Sequence, residues 1–410
     1  MSGAAGTIVY DPDGIANIPA DVLARMIEIR RHLHAHPELS NHENETQRYL
    51  LDCLASEGMG HAVVAAGTGI VVDIEGLAPT SNRRVAVRAD IDALPILEET
   101  GLPFASQNSG VMHACGHDAH AAMVFAAAAT LHRQRGTFGG TVRFVFQPAE
   151  EAEPLGGRRI VEEGWLDGMD AAIGIHIDPF LATGRVAVGA GPYTLASDIF
   201  DIVISGRSAH AAQPEKGVDA IAVGCAVVGE LQKIVARETE AFDPLIVSVT
   251  GFQGGGSYNI IADAVTIRGT IRSGREATRL TAQGRLRAIA SGIAAAHGAD
   301  AEVTITRGEP PVVNDPAMVA VVAEATQQGL GEGALLNAPG WTAADDFGFY
   351  SEAVPSVYFR LGVQDAAQRM AFALHHPRLH VDEAALPLGA RVLVGSVIGF
   401  LGGERRTAAS

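Results

Sequence analysis

The stretch DAHAAMVFAAAATLHRQRGTFGGTVRFVF, residues 118–146, followed by AAIGI at 171–175, decides the fold class. Its first part, 118–134, is rich in alanine, as suits a helix packed tightly on a sheet. The second part, 141–146, alternates β-branched and aromatic residues and predicts a strand. A further helix near 155–163 leads to the apolar strand 171–175. Strands and helices in this alternation predict an α/β layered domain with a largely parallel sheet.

Working outward, 20–34 and 43–58 carry helical spacing of apolar residues, and 61–66, 70–75 and 84–88 are short β-rich runs. From about 193 the pattern becomes strand 198–204, helix 217–236, strands 245–251 and 261–271, helix 275–297 and strand 301–306. That order, β-α-β-β-α-β, predicts a ferredoxin-like second domain inserted into the first. After about 309 the α/β pattern resumes, with helix 315–328, strand 356–361 and a last helix near 383–401. The chain is therefore expected to form a discontinuous domain from 1–192 and 309–410, interrupted by an inserted domain at 193–308.

Composition agrees with two folded domains. At 410 residues the chain exceeds what one core usually supports, and it is 47% hydrophobic and 19% charged. A net charge of −17, with no Lys/Arg run longer than a pair, argues against a nucleic-acid or anionic-membrane surface. The start, MSGAAGTIVYDPDGIANIPAD, lacks a basic segment followed by an apolar run, and no stretch of about 18 apolar residues is expected to span a membrane. Cys53, Cys115 and Cys225 are scattered and cannot form a closed set of disulfides. A reducing, cytoplasmic compartment is expected.

Chemistry concentrates in His113-Ala114-Cys115-Gly116-His117-Asp118-Ala119-His120, where thiolate, imidazole and carboxylate donors meet the start of a helix. A helix cap explains Asp118 alone; only a metal or a nucleophile needs the rest. The strand 141–146 then ends in Gln147-Pro148-Ala149-Glu150-Glu151. Ligand sites of open α/β sheets lie beyond the C-terminal ends of strands, and adjacent carboxylates can divide the work, one binding metal and one taking a proton. A solvated acidic turn reads the segment equally well in isolation. The strand 171–175 delivers His176 to the same sheet edge, and Leu374-His375-His376-Pro377 offers two more imidazoles, either of which could reach a metal.

With these residues in view, the chain resembles the zinc-peptidase-related aminoacylase/carboxypeptidase family, in the subfamily of hippurate hydrolase and the plant indoleacetyl-amino-acid hydrolases. The resemblance spans nearly the whole chain, through RRHLHAHPELS (30–40), RADIDALP (88–95), MHACGHDAH (112–120), FQPAEE (146–151), GIHI (174–177), GRSAHAAQP (206–214), GTIRS (269–273), ADDFGFY (344–350) and LHHP (374–377). It implies a zinc-peptidase-like catalytic domain at 1–192 and 309–410, and a lid and dimerisation domain at 193–308. It implies that Cys115, His117, Glu151, His176 and His375 bind two divalent metal ions, zinc first, with manganese, cobalt or nickel as alternatives. His375 is preferred over His376 because it holds the position of the family's histidine. Glu150 would be the general base, His210 would stabilise an oxyanion, commonly in a partner subunit's cleft, and Asn259 and Arg272 would orient the substrate carboxylate.

The implied reaction is metal-dependent hydrolysis of N-acyl amino acids, a small-molecule substrate, by a homodimer or higher homo-oligomer. A deacetylase of N-acetyl diamino acids and a noncatalytic acyl-amino-acid-binding relative are the alternatives. The chain departs from the family pattern at Asn259-Ile260-Ile261-Ala262, where Asn-Val-Ile-Pro is usual, and at Asp345-Asp346-Phe347, where Glu-Asp-Phe is usual.

Overall fold

The strand Thr141–Gln147 runs parallel to Arg84–Asp90 on one side and antiparallel to Gly69–Glu75 on the other, within a sheet of eight strands. The computed structural model describes residues 17–365 and 370–402; the N-terminal reading at residues 1–16 lies outside them. The chain forms two compact units. Among the described residues, the first draws on 17–191, Val313–Gly340, 349–365 and 370–402, the second on Pro192–Val312 and Trp341–Gly348. The sequence pattern left 341–348 with the first unit. Backbone pairing explains its place in the second, since Trp341 donates to the Tyr193 carbonyl at 3.0 Å and Leu195 donates to the Ala343 carbonyl at 3.0 Å.

In the first unit the strand order is Val63–Ala65, Gly69–Glu75, Thr141–Gln147, Arg84–Asp90, Ala171–Ala182, Ser356–Gln364, Val186–Val188 and Leu335–Asn337. The four central strands, 141–147, 84–90, 171–182 and 356–364, are mutually parallel, while antiparallel pairs flank them. The chain passes from Arg84–Asp90 to one neighbour and then crosses to the other, so the order reverses around that strand. Such a reversal opens a crevice at the C-terminal ends of the parallel strands.

The alanine-rich segment forms the helix His117–Arg133, buried from His117 through Leu131. It packs on Arg84–Asp90 between the helices Ala20–Ala35 and Leu386–Gly402. Alanines allow this close approach, and so does Gly389 opposite, where any Cβ would collide with the Met123 sulfur. Among the described residues one segment, Glu383–Gly402, is long and apolar enough to cross a membrane, although Glu383 and Arg391 interrupt its apolar run. Its place beside the helices His117–Arg133 and Pro316–Leu330 uses that apolarity in the core: 67% of its apolar stretch is buried.

The second unit is an antiparallel sheet in the order Leu245–Gly254, Ala264–Ser273, Ala196–Ser205, Asp300–Arg307, with the helices Ala220–Glu238 and Glu276–Ala296 packed on it. This is the ferredoxin-like arrangement. Alternation fixes its register: Phe200, Ile202, Ile204, Val265, Ile267 and Ile271 form the core, and the intervening positions face away from it. Buried within the unit, Arg279 donates from Nε to Asp198 Oδ2 at 2.9 Å.

Candidate metal centre

The centre is built on the C-terminal ends of the parallel strands. Gly116 holds φ at 86°, and a Cβ there would collide with Ile177. This left-handed turn delivers Cys115 just before the helix and His117 as its first residue. Asp118, in the first helical turn, is fixed from below by the Arg30 Nε at 3.0 Å and by His34 Nδ1 at 2.9 Å.

His117 points Nδ1 at two oxygens of Asp92, the backbone carbonyl at 2.9 Å and Oδ1 at 3.2 Å. Both can only accept, so Nδ1 carries a proton, and ligation by His117 would fall to Nε2, with a cation taking the place of any proton there. That Nε2 is buried with no hydrogen-bond partner, and the Asp90 carboxylate 3.6 Å away is beyond bonding range. His176 repeats the pattern, with Nδ1 donating to the Ile177 carbonyl at 2.7 Å and Nε2 lying 3.5 Å from Cys115 Sγ. The strand does not stop before His176 as expected but continues to Ala182. Pairing with Ser356–Gln364 carries it on, whereas its bonds to Arg84–Asp90 end at Gly174. His176 thus stands in a strand, just past the point where one neighbour falls away.

Glu150 and Glu151 follow the strand Thr141–Gln147. The Asp92 carboxylate accepts the Glu151 amide at 3.0 Å. Glu151 Oε1 is buried and 3.1 Å from His375 Nε2, yet without hydrogen-bonding geometry. Two donors that converge without bonding each other are arranged for a third partner. His375 reaches this place with φ at 64° and its amide donating to the Ala114 carbonyl at 2.7 Å. His376 instead stacks on Phe372 and accepts the Arg378 amide on Nδ1.

The donor atoms fall into overlapping groups, each spanning no more than 4.8 Å: Cys115 with His117 and His176, Cys115 with Glu151 and His375, and His117 with Glu150 and Glu151. These residues fit divalent metal by chemistry as well as position. Among the side chains alone, burial and then the carboxylates of Glu151 and Glu150 push the Cys115 thiol well above its ordinary pKa. A cation among them reverses that, since it favours the thiolate. For His117, burial opposes the charged form, but Asp90 and Asp92 outweigh it and hold the imidazole at about 10. Carboxylates gathered around buried imidazoles and a buried thiol form a donor set that suits a cation.

Sequence reasoning missed the groups behind the donors. Asp90 accepts from Arg88 Nη1 at 2.6 Å and from His120 Nδ1 at 2.6 Å, and His120 Nε2 accepts the Ile177 amide at 2.9 Å. Both nitrogens of His120 are therefore used, which removes it as a ligand despite its place in the same motif. The signal for Asp90 and Asp92 was the RADIDALP run, which ends the strand at the right edge of the sheet.

The remaining candidates belong to the second unit. His210 is exposed on a two-residue strand paired with Ile260–Ile261, which brings Asn259 beside it. The Ala212 amide donates to His210 Nδ1 at 3.1 Å, leaving the Nε2 proton available outward. Arg272 is not brought to them. It pairs with Ser197 and Ile246 near the far end of the strand Ala264–Ser273, eight residues or about 26 Å from the end next to the His210 strand.

A model of peptidase family M20/M25/M40 matches residues 86–398. The chain belongs to this family. Its M20 relatives include an N-acyl-L-amino acid amidohydrolase of Geobacillus stearothermophilus, 41% identical over 300 residues covering 73% of this chain and 80% of the relative. An N-acetyl-L-cysteine deacetylase of Bacillus subtilis is 38% identical over 362 residues, covering 88% of this chain and 85% of the relative. Among solved structures, a dinuclear metal-binding M20 peptidase from Bacillus subtilis superposes with a TM-score of 0.81 at 34% identity, covering 93% of this chain and 99% of that one. The M20 chain described here is an amide-bond hydrolase with a metal-dependent chemistry.

Proposed function

We propose that this enzyme hydrolyses the amide bond of N-acyl amino acids, releasing a carboxylic acid and a free amino acid. The observation that carries the reading is the convergence of Cys115, His117, Glu151, His176 and His375 at one sheet edge with Glu150 among them. These five residues would hold two divalent ions, zinc first and manganese, cobalt or nickel as alternatives. Bound there, the ions supply Lewis acidity, which polarises the scissile carbonyl and brings a water's pKa near neutrality.

The chain's own residues do the rest. Glu150 accepts the proton of the attacking water on a carboxylate oxygen and returns it to the leaving nitrogen. Asp92 fixes the tautomer of His117 and, through the Glu151 amide, the turn that carries both glutamates. His210, with its proton on Nε2, donates to the developing oxyanion, and Asn259 beside it orients the substrate carboxylate. Arg272 was grouped with Asn259 on resemblance, and its distance within the unit favours a role on a different part of the substrate or of a partner subunit. The first unit serves as the catalytic domain and the second as the lid and dimerisation domain of a cytoplasmic homodimer.

A hydrolysis panel tests the reading. Protein loaded with two metals per chain is offered acetyl, benzoyl, indoleacetyl and long-chain acyl amino acids. Release of free amino acid from at least one class, abolished by a chelator, is expected. A metal-loaded protein that turns over none of them overturns it.

A further inference from the structure

The HPELS segment and the residues after it, matched at the sequence level, have no part in the chemistry above, yet they are threaded against its centre. Glu43 is fully buried. It precedes the helix Asn44–Ser56 but does not cap it. Its two oxygens are used elsewhere: Oε1 accepts the amide of Ala149 at 2.8 Å and Oε2 accepts the Thr68 hydroxyl. Ala149 is the residue before Glu150, is fully buried, and has φ at 48°. A non-glycine residue in the left-handed region is strained and persists only where its surroundings impose it.

The turn is gripped at separate points. Glu43 holds the Ala149 amide, Gly156 donates to the Ala149 carbonyl at 2.8 Å, and Asp92 holds the Glu151 amide at 3.0 Å. Ser40, three residues before Glu43, donates to the same Asp92 oxygen at 2.7 Å. The loop from Glu38 to Glu43 is thereby a bracket on the turn that carries Glu150 and Glu151. Within it, Glu43 acts on the Glu150 side, and Ser40, through Asp92, acts on the Glu151 side.

We infer that Glu43 is a positioning residue for Glu150: by accepting the Ala149 amide it fixes the left-handed turn that aims the base, without touching substrate or metal. The inference rests on the assignment of Glu150 as the base. Misplacing a catalytic group by about 1 Å can cost roughly 10²-fold in rate. What matters in Glu43 is an acceptor at Oε1, which glutamine also offers while its amide group donates to Thr68.

The test compares Glu43→Gln with Glu43→Leu, each loaded with two metals per chain, on the panel substrate that the wild type hydrolyses. Glu43→Gln should keep kcat within about threefold. Glu43→Leu should lose at least tenfold in kcat with KM nearly unchanged and both metals retained. A readout independent of turnover accompanies it: amide exchange followed on 15N-alanine-labelled and 15N-glutamate-labelled metal-free protein. The Ala149 amide should be protected in wild type and Glu43→Gln and exchange at least tenfold faster in Glu43→Leu, while the Glu151 amide stays protected. Should Glu43→Leu fail to fold or to load metal, Thr68→Val removes only the second anchor of the carboxylate, and a smaller loss of kcat with faster Ala149 exchange is expected. Unchanged Ala149 exchange, or equal kcat losses in the glutamine and leucine variants, overturns the inference. An inactive, metal-loaded wild type counts against the proposed function instead, and the exchange experiment still decides the role of Glu43.

Discussion

Glu150 and Glu151 are neighbours of one residue type, and the proposed function gives them different work in environments that differ. Glu151 Oε1 is buried, lies against His375 without bonding to it, and shares a donor group with Cys115. Its backbone amide is tied to Asp92. Removing its charge should empty part of the centre. Glu150 sits within 4.8 Å of His117 and Glu151 but belongs to neither group that contains Cys115. Glu150→Gln is therefore expected to leave about two metals per chain while turnover falls by roughly 10²–10⁴-fold, the range of a general acid–base contribution. Glu151→Gln is expected to lose metal and activity together. Elemental analysis beside steady-state kinetics checks both, and metal loss confined to Glu150→Gln would reverse the two roles. At this scale the sequence carried the donor types but not their protonation. His117 and His120 stand three apart in one motif and look equivalent on paper. What separates them is the Ile177 amide, 57 residues from His120 in sequence, which occupies the lone pair that His120 would need.

Among the elements, those with strong periodicity were legible and those made by long-range pairing were not. The helix His117–Arg133 and the strand Thr141–Gln147 announce themselves through alanines and through β-branched and aromatic residues. Val186–Val188 and Leu335–Asn337 are three-residue strands, too short to show a period, and exist because each is paired with the other at a sheet edge. The ferredoxin-like unit was legible because its strands alternate cleanly, and that alternation also buries one ion pair. Burial alone would push the Asp198 carboxyl up, but the hydrogen bonds from Arg279 and Gln283 outweigh it and hold it below its usual value. A carboxylate depressed in the folded state stabilises the fold above its unfolded pKa, near 4, and that stabilisation is lost as pH falls through the lower folded value. Asp198→Asn keeps the shape but strands the Arg279 guanidinium, and breaking a buried pair from one side costs about 3–5 kcal/mol. Thermal unfolding at a series of pH values should show the variant melting lower than wild type at pH 7, with the gap narrowing below about pH 4. A gap independent of pH would show that the pair does not carry the charge assigned to it.

Across the whole molecule the residues proposed to act in the reaction are divided. Cys115, His117, Glu150, Glu151, His176 and His375 belong to the first unit, while His210 and Asn259 belong to the second. Sequence order scatters both sets, and the division became readable only because the α/β pattern breaks off and resumes around the insertion. The proposal that His210 serves a partner subunit makes a claim about assembly that point variants of one chain cannot address. His210 is exposed and its Nδ1 is engaged by the Ala212 amide, so replacing it by alanine should spare metal content and stability while depressing turnover, by about 10²–10³-fold if it is an oxyanion donor. Glu150→Gln is expected to be inactive for a separate reason, the loss of the proposed base. In a mixed dimer of the two variants, one centre would combine an intact Glu150 with an intact His210 from the other chain, and the second centre would lack both. Mixing two inactive parents should then restore activity, approaching half of the wild-type value per dimer for the mixed species. Differently tagged subunits, purified through both tags, establish that the mixed dimer has formed. Verified mixed dimers without recovered turnover would place His210 at its own chain's centre or remove it from the chemistry, and recovery would show that the active unit is the pair of chains.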